Sequence, residues 1–293
     1  MVTRLRIAGV TLAVHAPCSL PSLLLPRALR PFSARQGEDI RLEVVREEPP
    51  PPGPLLFDSG GPWRVHGQGR LVLYSFPAAL GGVARAVAID RGRRRGRLYL
   101  PPSAEDARRG CALSYPLDEL LFQHHLACAG ALVVHACGVK VRGGGAFLFC
   151  GRSGAGKTTM ARLWRRHRKG ALVLSDDRTV VRWRDGRPWI YGTPWHGSGR
   201  YASPRGAPLR AIFFLRQSSR TRVKILTAPR AGAELFARCF PPIWEAEGVG
   251  TVLQTCARLL GAVPAYELGS RADGSAVRAV DEALAGPGMA LAS

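Results

Sequence analysis

AFLFCGRSGAGKTT, residues 146–159, reads as a buried strand that runs straight into a glycine-rich turn. The turn, Gly151-Arg152-Ser153-Gly154-Ala155-Gly156-Lys157-Thr158, fits the pattern GxxxxGK[ST]. Anion chemistry explains the residue types. Glycines reach backbone conformations closed to other residues, so successive N–H groups can converge on phosphate oxygens. A helix starting where the turn ends adds its free N–H groups and the positive end of its dipole. On this reading Gly151, Ser153, Gly154, Ala155, Gly156, Lys157, Thr158 and Thr159 hold a nucleotide. Lys157 bridges its β- and γ-phosphates and the Thr158 hydroxyl ligates Mg2+, which makes ATP and Mg2+ the expected cofactors. A chance match arises in roughly one such chain in a hundred. The apolar strand before the turn and the helical pattern after it lower that figure.

Downstream, LVLSDD (172–177) is an apolar strand ending in two carboxylates, Asp176 and Asp177. A buried parallel strand delivers its C-terminal residues to the phosphate end of a sheet. Adjacent strand residues point to opposite faces, so the two carboxylates take different jobs. One suits Mg2+; the other suits a general base for an acceptor hydroxyl. For either aspartate alone, a turn or capping role is the alternative.

Around this nucleus the pattern predicts helices over 117–129 and 160–167. It predicts strands or apolar segments at 131–136, 139–141, 171–174, 179–183, 189–191, 211–215 and 223–226. Helical spacing recurs through Val249, Val252, Leu253, Cys256, Leu260 and Val263, and again through Val277, Val280 and Leu284. Upstream, strands are expected at 5–14, 40–45, 70–75, 83–89 and 97–100. EEPPPPGP (47–54) must be a loop or linker, because prolines deny it helix and central strand. RGRRRGR (91–97) reads as a solvated hairpin turn, with a binding patch as the alternative. Two prolines at 101–102 mark a boundary, which predicts a β-rich domain over 1–105 and an α/β nucleotide domain over 106–293.

Bulk composition sets outer limits. The chain has 293 residues, 46% of them hydrophobic, and no apolar run near the length of about 18 that a membrane helix needs. The opening MVTRLRIAGVTLAVHAP alternates charged and apolar residues, which favours a first strand over a signal peptide. Seven cysteines, an odd number with no CxxC spacing, argue against a disulfide framework or a zinc site and for a reducing cytoplasm. The formal charge is +21, and only Lys140, Lys157, Lys169 and Lys224 are lysine. Such a field favours anionic partners: nucleotide, acidic peptide, nucleic acid or a membrane surface. Compositional bias is the competing account, since arginines occur along the whole chain.

Taken together, these residues resemble the HPr kinase/phosphorylase family and its relative, ATP-dependent phosphoenolpyruvate carboxykinase. The likeness is carried by GRSGAGKTT against GxSGxGK(S/T), by LSDD one helix later, and by His135 in VVHACGVKV, sixteen residues before Gly151. It covers about 115–230. It implies a phosphoenolpyruvate-carboxykinase-like P-loop nucleotide domain with a smaller N-terminal β-rich domain. It also implies transfer of the γ-phosphoryl group of ATP to a hydroxyl. Asp176 is then the base, Asp177 joins Thr158 on Mg2+, Lys157 holds phosphates, and His135 supports the acceptor or metal site. In particular the chain is similar to divergent HPr-kinase-like proteins encoded beside peptide-maturation genes. Some of these, in lasso peptide pathways, phosphorylate a serine of the precursor peptide, which implies a peptide or protein serine as acceptor.

YGTPWHGSGR (191–200) reads as a structured loop in which His196 and Arg200, with Arg205 beyond it, could face the γ-phosphate or the acceptor; a packed turn is the alternative. The glutamate that HPr kinases carry in this region has no match here, so HPr itself is not the expected substrate. Nor do the carboxykinase residues for the carboxylated substrate. His124 and His125 read as packing residues. Two other function classes stay open: a nucleotide-gated binding module with only slow hydrolysis, and a nucleic-acid-linked ATPase. The expected partners are nucleotide and an acidic peptide or protein. Neither a membrane nor a nucleic acid is the expected partner, and self-association is left open.

Overall fold

The computed structural model describes residues 1–17, 25–76, 85–100, 113 and 115–285. The expected boundary at 105/106, the prolines at 101–102, Cys18, Cys111 and the first two residues of the strand expected at 83–89 lie outside them. The described residues form a mixed α/β protein with two eight-stranded sheets and five α-helices. The chain divides into two compact units, Met1–Ala129 with Pro242–Gly248, and Gly130–Pro241 with Val249–Ser293.

In the first unit the strands are β1 (Val2–Ile7), β2 (Val10–His15), β3 (Ile40–Val45), β4 (Leu55–Asp58), β5 (Arg64–Gln68), β6 (Leu71–Phe76), β7 (Arg85–Asp90) and β8 (Arg95–Tyr99). They are ordered β1-β2-β3-β8-β7-β6-β5-β4. The single strand expected over 5–14 is a hairpin instead. Ala8 and Gly9 sit at φ 51° and 81°, so the chain turns back there and Ile7 pairs with Val10. Helix α1 (Leu117–Cys128) is buried almost all round, polar residues included. His124 accounts for itself in this setting: Tyr74 Oη lies 2.7 Å from its Nδ1, and burial, with the charge of Arg93, pushes its pKa down to about 3. It is a neutral core histidine hydrogen-bonded to the Tyr74 hydroxyl.

The arginine block departs from expectation. Arg91 and Arg94 are exposed in the β7–β8 turn, but Arg93 is 1% exposed at φ 53°. Its guanidinium pairs with Glu245, and its carbonyl accepts from the His125 ring at 3.1 Å. A cation facing a carboxylate is cheaper to bury than one alone, so the turn is solvated only in part.

The second unit contains β9 (Leu132–Lys140), β10 (Ala146–Cys150), α2 (Lys157–His167), β11 (Leu172–Ser175), β12 (Arg178–Arg184), β13 (Arg187–Gly192), β14 (Gly206–Gln217), β15 (Arg222–Ile225), α3 (Ala228–Phe236), β16 (Ala265–Ser270) and α5 (Ser275–Ala285). Helix α4 (Ala246–Ala262) begins in the first unit's segment and runs into the second. The two apolar segments expected at 131–136 and 139–141 are one strand, β9. Its C-terminal part pairs with β10, and its N-terminal part pairs with β12. Strand β10 lies between antiparallel β9 and parallel β14, and β14 is in turn parallel to β16. All five β10 residues are buried. Phe147 and Phe149 meet Trp164 of α2 at ring distances of 5.3 and 5.9 Å, and Phe213 of β14 lies 5.5 Å from Phe149. Burying each such side chain stabilises the fold by about 1.5–3 kcal/mol. This aromatic layer clamps the strand and helix on either side of the glycine turn.

Candidate phosphate-transfer site

Strand β10 ends at Cys150, α2 begins at Lys157, and the turn between them carries the glycines. Gly154 and Gly156 sit at φ 77° and 102°, and a Cβ built at either meets nothing within 4 Å. They are therefore demanded by backbone conformation and border open space. Gly151 is demanded by packing, since its Cβ would come 2.7 Å from the Ala155 Cβ. Helix α2 has no side-chain cap and no acidic residue in its first turn, so its leading N–H groups remain for an anion. The Lys157 ammonium donates to the carbonyls of Gly151 (3.0 Å) and Arg152 (3.1 Å), curling over the turn. Burial lowers its pKa, opposed in part by the Asp177 charge.

Strand β11 delivers the aspartates. Asp176 is 1% exposed and fully engaged. It accepts from Thr158 Oγ1 (3.1 Å) and from the backbone N–H groups of Gly197 (3.0 Å), Gly199 (2.8 Å) and Tyr201 (3.4 Å). The YGTPWHGSGR loop is thus a collar around this carboxylate. Gly199 has to be glycine because its Cβ would come 2.6 Å from Asp176 Oδ2.

Asp177 points the other way. Its Oδ1 accepts from His135 Nε2 at 2.9 Å, and its Oδ2 from the Arg178 guanidinium at 2.7 Å. Sheet register explains the meeting: His135 on β9 pairs with Arg178 on β12, and the Ala136 N–H donates to the Asp177 carbonyl. Burial raises the Asp177 pKa, but the His135 hydrogen bond and the charges of Arg178, His135 and Lys157 outweigh it, leaving the carboxyl below its ordinary value. Phe240 backs the group, 4.2 Å beneath the Arg178 guanidinium and 6.3 Å from the His135 ring.

The structure therefore brings Lys157, Thr158, Asp176, Asp177 and His135 into one neighbourhood. It joins Thr158 to Asp176, where the resemblance had paired it with Asp177. His196 lies in the collar and contacts its neighbour's carbonyl at 3.1 Å. Among the described residues no hydrogen bond or ion pair joins the Arg200 or Arg205 side chain to the aspartates. Arg178 and Phe240 escaped the sequence reading. Arg178 could have been found, since it directly follows the paired aspartates; Phe240 carries no pattern.

The donors suit a hard cation. Among the described residues no group of three or more His, Cys, Asp or Glu is gathered for a metal. Mg2+ in phosphoryl-transfer sites takes one or two protein oxygens, with substrate phosphates and water supplying the rest. The Thr158 hydroxyl, donating to Asp176, keeps oxygen lone pairs for such an ion. No family model and no curated protein matches the chain, so the likeness to HPr kinases rests on the residues quoted for it.

Proposed function

We propose that the chain is an ATP-dependent phosphotransferase of the phosphoenolpyruvate-carboxykinase-like P-loop type, acting on a hydroxyl, a serine of a peptide or protein. The observation that carries this reading is the division of the two aspartates at the mouth of the glycine turn. A nucleotide switch or simple ATPase needs a carboxylate behind the Thr158 hydroxyl. It does not need a second one held by a histidine and an arginine on the next strand.

The hydrogen bonds favour an exchange of the roles that resemblance gave the aspartates. A carboxylate offers about four lone-pair directions, and Asp176 has four donors on it. It is fitted to hold the Thr158 hydroxyl and the collar in place, and has no direction left for a substrate proton. Asp177 has one donor on each oxygen, which leaves a lone pair for the acceptor hydroxyl. Its lowered pKa keeps it ionised at neutral pH. His135 and Arg178 fix its orientation. Bound ATP·Mg2+ supplies the phosphoryl group and neutralises its charge. Lys157 and the α2 N-terminus hold the phosphates, and Asp177 takes the proton from the serine Oγ. Positioning and charge neutralisation supply most of the rate enhancement in this class of reaction.

The test compares Asp177→Asn with Asp176→Asn, using ATP·Mg2+ and serine peptides. Asp177→Asn should keep nucleotide affinity within a few-fold and lose phosphopeptide formation by about 100-fold or more. Asp176→Asn should lower Tm as well, because an amide group faces the collar N–H groups and one or more of them loses its acceptor. An Asp177→Asn protein with normal turnover would defeat the assignment.

A further inference from the structure

Strand β12 carries more than the arginine that steadies Asp177. Arg178, Val180, Arg182 and Arg184 alternate onto one face of the sheet. Regular antiparallel register sets Tyr191 opposite Val180, Trp189 opposite Arg182 and Arg187 opposite Arg184, so these share the face. His135, opposite Arg178, shares it too. Within the second unit, one strip of side chains therefore runs from the Asp177 carboxylate to the tip of the β12–β13 hairpin.

The strip ends in a cationic pair set on aromatic rings. Trp189 and Tyr191 are half-buried and stack at 6.2 Å with their planes 22° apart. Gly206 lies opposite Tyr191, and a Cβ there would come 2.5 Å from the ring, so glycine lets the ring lie close against β14. At the tip, Arg184 and Arg187 are exposed and lie 4.8 and 5.8 Å from the centre of the Trp189 ring. Stacking steadies a guanidinium while leaving N–H donors at its edge for a carboxylate. Among the described residues Arg187 meets no carboxylate. Arg184 meets Asp185 at 3.2 Å in a largely exposed pair, which contributes little.

Spacing turns this pattern into a preference. From Arg178 to Arg184 is six steps along β12, about 20 Å of strand. An extended peptide advances at nearly the same rate, so with its serine at Asp177, residues about five to seven places away reach the two arginines. Single-stranded nucleic acid is the other ligand of surfaces that combine aromatic rings with arginine. It needs open ring faces for its bases, and here the two guanidiniums already lie over Trp189.

Building on the acceptor reading above, we propose that this strip is the docking track of the acceptor peptide and selects acidic residues about six places from the serine.

The test uses fluorescein-labelled peptides of Ala and Gly with one central serine. A Glu-Glu pair is centred at the second, sixth or tenth position from it, on either side. Binding to the full chain is read by anisotropy, and phosphorylation is measured with ATP·Mg2+. The sixth position, on one side only, should lower Kd and KM about fivefold against a peptide without glutamate, as two exposed ion pairs allow, with kcat unchanged. General attraction by the excess charge would rank the three positions alike. Arg184→Ala combined with Arg187→Ala should abolish the advantage and leave the glutamate-free peptide's KM as it was, a control for folding. Arg184→Glu combined with Arg187→Glu should transfer the preference to Lys-Lys at the same position. An advantage equal at all positions, or one that survives the alanine pair, would overturn the proposal. So would a single-stranded oligonucleotide that binds more tightly than any peptide and loses that affinity in the alanine pair. Position-dependent phosphorylation is not required for the track to stand: peptides that bind with this preference but are never phosphorylated defeat the kinase reading alone, while peptides phosphorylated without it defeat the track alone.

Discussion

Asp177 has a consequence for stability as well as for chemistry. Its carboxyl is held below the ordinary 3.8 in the folded chain, burial being outweighed by His135, Arg178 and Lys157. The folded state therefore gains from the ionised form. That gain is complete above the unfolded value and is lost as pH falls through the lower folded value. Asp177→Asn carries no such charge at any pH. Urea midpoints of the two proteins should differ at pH 7 in favour of wild type, and the gap should narrow towards pH 3. A gap that widens in acid would mean that Asp177 is not stabilised as an anion. This residue also marks how far single positions could be read. LSDD announced a pair of carboxylates with separate jobs, and alternation along a strand said that they diverge. Which way each turned depended on β9–β12 register and on a collar some twenty residues downstream, neither of which leaves a mark on LSDD itself. Phe240 reaches His135 and Arg178 because its N–H bonds the Val133 carbonyl, a pairing across more than a hundred residues.

The strand–turn–helix unit is where sequence and structure agree most closely. The strand expected at 146–150 is β10, residue for residue, and α2 begins three residues before the run expected at 160–167. Local rules suffice there: a five-residue apolar strand, glycines that only a tight turn explains, and a helix behind it. The same rules predict what breaks the unit. In Gly151→Ala the new methyl meets the Ala155 methyl at 2.7 Å, too close for any two carbons, so the turn must shift. The aromatic layer of Phe147, Phe149 and Trp164 lies outside the turn and keeps strand and helix in place. Gly151→Ala should therefore lose nucleotide affinity by more than tenfold, with far-UV circular dichroism unchanged and Tm lowered by only a few degrees. Loss of the whole cooperative transition would mean that the turn supports the core, against the packing described. Elements missed outright are those whose own residues carry a weak periodic signal. Strand β5, RVHGQ, is mostly polar, and β4, LLFD, is a short strand at the sheet edge after a proline run. Strand β16 is recognisable only because β14 and β15 flank it. Helix α3 opens APRAG, where the proline suits a first turn but the small residues mask its apolar stripe.

At the scale of the whole molecule the excess charge has a location. Residues of the first unit carry 17 Lys and Arg against 13 Asp and Glu, a net +4. Those of the second carry 25 against 8, a net +17. Compositional bias alone would raise both units, so an excess concentrated in the unit with the glycine turn favours a role there. On the proposed function ATP·Mg2+ would account for part of it, since Lys157 and the α2 N-terminus would meet the phosphates. The remainder leaves a field that draws in an acidic acceptor and repels a basic one. Serine peptides that differ only in Asp/Glu or Lys/Arg beside the serine separate these contributions, because nucleotide binding is common to both series. The acidic series should have the higher kcat/KM, chiefly through KM, since the field acts on encounter and not on proton transfer. The advantage should shrink between low salt and about 0.15 M, where the Debye length falls to about 8 Å. Equal rates for both series would leave the arginine excess without a part in acceptor choice. Stimulation of ATP turnover by nucleic acid, with a steep salt dependence, would assign the same field to a phosphate backbone instead.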